Sequence, residues 1–552
     1  MWYSKHLFSI LFLLITLLAV NQLGLLTSNS YSLNSTLTNA FNISDIDIQF
    51  KNTVYVESQK YDGLSDTERI NEAIKDAIQQ DAILIFGDRT YHYEGRNTID
   101  QNVTWIGTQG EIFDENKTLI NTTGRWAFSG IGESEINGIA IHANRSFTGD
   151  VVRVLDSVVE IKFNNCHFMG AFHEKNSAPA ILLNIRGNVG SVTFSNGSLS
   201  DSHSNAPIEL TSKDGTTSGG WRVWPSIRGF NASGGFDGYL EMKNVEIFNI
   251  GHEVEYKNGE KVWERSDTGA LNPGGWDIDA WQRSGITGKG ETILENVRFF
   301  SIPGSYIKVS QHGGTLHFKD LFLHVREHEP VAGRLIRLQS YGEGFQRNGI
   351  MENTHIKADR SRDLKRMGGG SALHMLISFS GNLPNEIFHV KNTLVEIGLD
   401  EKDPVYLNNQ AIFGYHRTTA PKYGLIIENS NINIPGGIEY FFRTSANANS
   451  SIEEAKSNIN EVIFKDNSNI QNIRRFYYAS PFRSICDNCR VYTYHHITLS
   501  GNNTYHNLEG QLHKVKPVIS PDDIWRSGGG IFSNCECEDS LLDMYLFEIN
   551  PE

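Results

Sequence analysis

The chain has 552 residues, with 49 Lys and Arg against 64 Asp and Glu, a net charge of −15 that disfavours nucleic acid as a partner, because binding it relies on a basic surface. Fifty-one Gly, only 14 Pro and abundant Asn, Ser and Thr exclude a collagen-like or low-complexity chain. Length alone suggests several domains, but the repeats described below favour one elongated body.

At the amino end, Lys5 precedes an apolar run, Leu7 to Val20, that extends with interruption to Leu26. The shorter run has the length of a secretory signal core, and the longer one suits a signal anchor. Residues 1–30 are therefore read as signal peptide or signal anchor and residues 31–60 as a leader, with the body secreted or anchored outside the cell. Ten Asn-x-Ser/Thr sequons follow, at Asn34, Asn42, Asn102, Asn116, Asn121, Asn144, Asn196, Asn231, Asn449 and Asn502. They make the body a candidate glycoprotein, although a chain this rich in Asn, Ser and Thr produces several by chance.

From Asp62 the pattern becomes helical. Ser65 is a plausible N-cap with Glu68 three residues on to complete a capping box, and Ile70, Ala73, Ile74, Ala77 and Ile78 form a one-sided apolar stripe. Short strand patterns follow at 82–88 and 90–93.

Beyond them a loose phrase recurs, apolar residues alternating around a central Asn or Asp. It is read at Asn164-Asn165, Asn244, Asn296, Asp320, Asn353, Asn392, Asn429 and Asp466. From Asn296 onward these marks recur every 24 to 39 residues, which suits turns of a solenoid with inserted loops. An Asn at such a corner adopts the left-handed conformation and can bond to the Asn of the next turn. A two-sheet sandwich is the rival, disfavoured by the helix and the uneven loops.

The Asp-Gly-x-Ser-Asp turn at 62–66, the helix with its Ala-Ile pairs and the apolar strand leading to Thr90-Tyr91 resemble the N-terminal opening of the pectin-lyase-like superfamily. That resemblance covers 62–93. It implies an all-β, single-stranded right-handed parallel β-helix, its core capped by the N-terminal helix, over residues 61–507, with 508–552 as a tail closing the far end.

Five cysteines occur. Cys166 sits in a strand pattern and reads as a buried small hydrophobe. Cys486, Cys489, Cys535 and Cys537 form C-x-x-C and C-x-C pairs, expected as two disulfides in an exported chain, with a tetrathiolate zinc site as rival.

The chemistry-bearing stretch runs from Gly275 to Tyr341. Three strand patterns there, Asp277 to Trp281, Tyr306 to His312 and Leu335 to Tyr341, align so that Asp279, Lys308 and Arg337 fall in one column. Lys308 lies 29 residues after Asp279, and Arg337 29 after Lys308. Stacked about 4.8 Å apart on a parallel sheet, these groups would form an active-site floor.

Lys308, Arg337, Asp279 and His312 are the catalytic candidates. Trp276, Trp281, Arg283, Gln339 and Tyr341 are candidate substrate contacts, since amphipathic Trp faces suit sugar rings. Asp277 and Asp279, two apart on one strand face, could hold Ca²⁺.

Two chemistries fit these residue types. In β-elimination on a uronate glycan, Arg337 clamps the substrate carboxylate while a neutral lysine, favoured by close cationic neighbours, removes the C5 proton. A Lys and an Arg on adjacent turns is similar to the chondroitinase B and alginate lyase branch of the superfamily, and the resemblance implies these roles for Lys308 and Arg337. In hydrolysis, Asp277 and Asp279 would serve as acid and base with His312 assisting, as in polygalacturonases, but the paired aspartates of the following turn and a Gly-His-Gly are missing. Between Arg334 and Arg366 basic residues outnumber acidic ones, a rim suited to a polyanion. An acidic polysaccharide is thus the expected partner and a lyase the favoured reading. A glycoside hydrolase and a non-catalytic glycan-binding or surface structural protein are the alternatives.

Overall fold

A computed structural model describes residues 52–108, 118–143, 150–170, 172–173, 180–204, 227–233, 237–252, 255–257, 260–262, 274–278, 290–302, 305–327, 335–345, 350–364, 374–381, 388–415, 424–445, 460–465, 469–471, 473–480, 495–499, 504–506, 529–532, 536–537 and 547–549. The chain divides into two units after Asn52, and the account below concerns the second. The amino-terminal apolar segment lies outside the described residues. Among those described, no helix is long and apolar enough to cross a membrane.

Helix Asp66–Gln79 starts where its sequence says it should. Ser65 accepts from the Glu68 backbone N–H at 3.3 Å and its own N–H donates to the Glu68 carboxylate at 3.0 Å, so two otherwise orphaned donors are satisfied. Its stripe of Ile70, Ala73, Ile74 and Ala77 is buried against strands Thr53–Tyr55, Ile83–Ile85 and Thr90–Tyr93. The Arg89 guanidinium and the His92 backbone N–H both bond Asp66, tying the first helical turn to the strand beyond it.

From there the chain is almost all strand, and every strand pairing among the described residues is parallel save one short hairpin, Glu255–Lys257 with Glu260–Val262. The pairing returns at each lap to the same register. Phe163 faces Phe194, then Met242, Leu294, Phe318, Met351, Val390 and Ile427 in succession, none more than 1% exposed. Such a stack fills the interior with side chains from every lap. Truncating one Phe within it to Ala would cost about 3–5 kcal/mol.

Each lap makes a corner at the Asn or Asp the repeat marks. Asn165, Asn196, Asn244, Asn296, Asp320, Asn353, Asn392 and Asn429 all take positive φ, between 45° and 55°. Their amides ladder: Asn196 Nδ2 donates to Asn164 Oδ1, Asn244 to Asn196, and Asn296 to Asn244, at 2.8–2.9 Å. A carboxylate can only accept, so Asp320 cannot continue the ladder toward Asn296. It begins a second one instead, accepting from Asn353, which accepts from Asn392, which accepts from Asn429. The Asn196 sequon falls on this ladder, with the nitrogen a glycan would occupy already donating to Asn164.

Cys166 is buried, as its strand pattern implies, and burial pushes its thiol up to about 12. The side chains of Cys486, Cys489, Cys535 and Cys537, and the corner expected at Asp466, lie outside what is described. Beyond residue 507 the parallel pairing continues. His496 faces Gly529, Thr504 faces Glu536 and Gly530 faces Phe547.

Candidate functional site

Two sheets share each lap. One carries the asparagine corners, and the other holds Asp150–Val154, Ala180–Arg186, Ile227–Ser233, Gly274–Ile278, the first half of Ser305–Lys319, Ile336–Phe345 and His374–Gly381. In this second sheet one register column reads Arg153, Asn184, Asn231, Asp277, Lys308, Arg337, Ser378 without a break. Lys308 is flanked by the buried Ile307 and Val309, and Arg337 by the buried Ile336 and Leu338. Both are themselves partly exposed. Alternation in an extended chain therefore turns these two cations outward, at neighbouring positions roughly 4.8 Å apart.

The acid beside them is Asp277, where the equal spacing predicts Asp279. Ile278 faces Val309, so Asp279 falls beyond the last described pair, two places from the column. The interval from Asp277 to Lys308 is 31 residues rather than 29 (308 − 277). A shift of two residues keeps every side chain on its own face, so the inside-outside pattern could not detect it.

His312 stands away from this group. It lies at a register irregularity between Gln311 and Gly313, where the strand leaves the second sheet for the first, four residues and about 13 Å of extended chain from Lys308. Trp276 occupies the register position of Phe230 and Ile307, a column whose described members Leu183, Ile307, Ile336 and Ile377 are all core residues. Gln339 faces Ser310 and Ser380, two residues along from Arg337. Tyr341 lies further along the same strand, Ile336–Phe345. Trp281, Arg283 and Asp279 lie outside the described residues.

The rim expected to be basic is largely neutralised where it is described. Arg360 bonds Asp363 at 2.9 and 3.0 Å and reaches Glu327 at 3.5 Å, Arg362 bonds Glu401 at 2.9 Å, and Lys357 lies 3.5 Å from Asp359. Glu327, Asp359, Arg360, Arg362 and Glu401 line a cleft of about 500 Å³ with Asp400, Lys402 and Asp403, which is more acidic than basic. Burial pushes the Asp359 carboxyl up. The His324 hydrogen bond and charge and the Glu327 backbone N–H outweigh it, and the group sits below its ordinary range.

Among the described residues, several guanidiniums gather elsewhere, near Arg153 in the same column. Asp150, 0% exposed, accepts two bonds from Arg153, one of them from Nε at 2.7 Å, and one from Asn184 at 2.8 Å. The Arg186 guanidinium stands 3.8 Å away. Burial, and then the guanidiniums of Arg153, Arg96 and Arg186, push the Arg125 guanidinium below its ordinary value against the pull of Asp150. Sequence reasoning passed over this group. Its signal was the interval of 31 residues from Arg153 to Asn184 (184 − 153), equal to that from Asp277 to Lys308.

No protein-family profile matches the chain, and no curated protein does. Among solved structures, it is similar to the Agl-KA catalytic domain, with 12% sequence identity and a TM-score of 0.32 over 90% of this chain and 67% of that one. It is also similar to a mutant of DFA-IIIase from Arthrobacter chlorophenolicus A6, with 10% identity and a TM-score of 0.31 over 88% and 98% of the two chains. Superposition at these scores is silent on chemistry, which rests on this chain's own residues.

Proposed function

We propose that the protein is a right-handed parallel β-helix, closed at its amino-terminal end by helix Asp66–Gln79, that acts outside the cell on an acidic polysaccharide, cleaving it by β-elimination. The observation that carries the reading is the register of Asp277, Lys308 and Arg337 on three neighbouring strands, with both cations turned out of the core. A uronate carboxylate laid across these two neighbouring positions would meet both a guanidinium and an ammonium.

In this reading Arg337 clamps the substrate carboxylate and withdraws charge from it, so the C5 proton becomes acidic. Lys308 removes that proton as general base. The electron pair forms the C4–C5 double bond as the C4–O4 bond breaks, and the leaving oxygen takes a proton. Asp277, at the next register position, orients the Lys308 amine. Calcium at Asp277 and Asp279 fits poorly, since Lys308 puts a cation beside the site, and no step runs through it.

Incubation with alginate, pectate and glycosaminoglycans, followed by the ultraviolet absorbance of unsaturated uronates, tests the proposal. A rise that Lys308→Ala abolishes is expected. New reducing ends without that absorbance would replace elimination by hydrolysis at Asp277 and Asp279, and retention on immobilised glycan without cleavage would leave a binding protein.

A further inference from the structure

We infer that Ser378 is a positioning residue for the Arg337 clamp: once a uronate carboxylate is bound, its hydroxyl accepts a hydrogen bond from the guanidinium and fixes the plane in which Arg337 meets the substrate. The inference rests on the acidic-glycan reading above and deepens it by one residue.

Ser378 continues the outward column. It faces Arg337 on one neighbouring strand and Gly414 on the other, so its register places the hydroxyl on the face that carries Lys308 and Arg337, about 4.8 Å from the next position. Ile377 and Phe379, on either side of it, are core residues. Ser378 itself is 0% exposed, and its Oγ has no hydrogen-bond partner among the described residues. A hydroxyl taken out of water without a bond costs stability, and an alanine would fill the same place without that cost. Such a group calls for an explanation beyond the fold of the chain by itself.

The neighbours narrow the explanation. Gly414 has no side chain, which leaves Arg337 as the one side chain beside Ser378 in the column. Full burial keeps a sugar from touching the hydroxyl directly, so any part it takes in recognition passes through that guanidinium. A carboxylate clamped bidentately occupies two of the five guanidinium donors, and of those left one can be given to an oxygen at the next register position. An accepting hydroxyl there resists rotation of the guanidinium away from the carboxylate. The bond forms only with the clamp closed, so it adds to affinity for the acid what the unbonded hydroxyl takes from the stability of the chain by itself.

Titration calorimetry on the full chain carrying Lys308→Ala, so that no substrate is consumed, tests this with trimers of galacturonate and of mannuronate, each as the free acid and as the methyl ester. Lys308→Ala alone should bind the acid of one of these sugars more tightly than its ester. Adding Ser378→Ala should cut that preference about tenfold, the contribution of one hydrogen bond to a charged group, and leave the ester bound as before. The thermal midpoint should stay level or rise, because an unbonded hydroxyl is gone.

A preference that Ser378→Ala leaves intact, an equal loss for acid and ester, or a midpoint that falls would each make Ser378 a packing residue and end the inference. No preference for acid over ester in Lys308→Ala itself would overturn the acidic-glycan reading, and the inference with it. Absence of unsaturated uronates from the wild-type chain would sink elimination alone, because the comparison of acid with ester reads binding.

Discussion

The outer faces of the two sheets differ in which charges stand in register. On the sheet with the asparagine corners, cations meet carboxylates of neighbouring strands: Lys243 with Glu295 at 3.1 Å, His317 with Glu352 at 2.9 Å, His355 with Glu396 at 2.8 Å and Lys391 with Glu428 at 3.1 Å. On the other sheet Lys308 and Arg337 take adjoining positions, and guanidiniums crowd around Asp150. Like charges facing across strands destabilise a sheet, and opposite ones support it. Like charges stand in register on both faces, Glu133 opposite Glu160 on the first and Lys308 opposite Arg337 on the second, and what sets the second apart is that its adjoining charges are cations next to the acid Asp277.

The sharpest way to break the contrast is to remove a cation from the second face. Lys308→Ala should lower the rate of elimination about 10²–10⁴-fold, the contribution of a positioned general base, with thermal unfolding nearly unchanged. A variant as active as its parent removes Lys308 from the mechanism. Next in size, Asp277→Asn should slow the reaction about tenfold, a loss of some 1.4 kcal/mol, and Asp279→Asn by much less. Equal effects of the two would mean that the register of Asp277 opposite Lys308 does not govern the chemistry.

The reason those two aspartates need an experiment is also the reason the site was only half legible. Asn244, Asn296 and their counterparts announced the corners, because few residue types accept a left-handed backbone and an amide both gives and accepts the ladder bond. Ser65 and Glu68 announced the helix start for the same kind of reason: each has one local partner at a fixed offset. Lys308 and Arg337 were placed together correctly because the lap between them was guessed at its true length. Asp277, already a candidate metal ligand and hydrolase acid or base, lost its place in the column to Asp279 because the lap from it to Lys308 holds two more residues, and a slip of two leaves every hydrophobic and polar position on its proper face. Arg125, Arg153 and Arg186 escaped since Asp150 belongs to their cluster through a partner three residues away, at Arg153, and another on the following strand, at Asn184. Alternation alone cannot rank such contacts.

On the first face the expected effects are on stability and not on rate. Asn244 takes φ 55°, donates to Asn196 and accepts from Asn296, both at 2.8 Å. Asn244→Ala loses both bonds and must hold an alanine in the left-handed region. The cost should be about 1–3 kcal/mol in denaturant unfolding, with elimination unaltered. Asn244→Gly loses the bonds without the strain and should fall about 1 kcal/mol short of that. If glycine costs as much as alanine, the corner's backbone is not what the asparagine secures.

The smallest effect expected is that of one carboxylate on the first face. Burial pushes Glu428 up, but the Lys391 hydrogen bond and the charges of His389 and Lys391 outweigh it and hold the carboxyl below its ordinary range. A carboxyl depressed in the folded chain stabilises it at pH values above the unfolded value, about 4.3, and that contribution disappears as pH falls through the lower folded value. Glu428→Gln should therefore cost under about 1 kcal/mol at pH 7, since water at the sheet surface screens the pairs. The two unfolding curves should converge once the pH has dropped well below 4.3, because the protonated wild type then resembles its own amide. A difference that persists undiminished into acid would assign the role of Glu428 to packing instead of charge. The two faces would then differ in which ions they carry without differing in how those ions act on the fold.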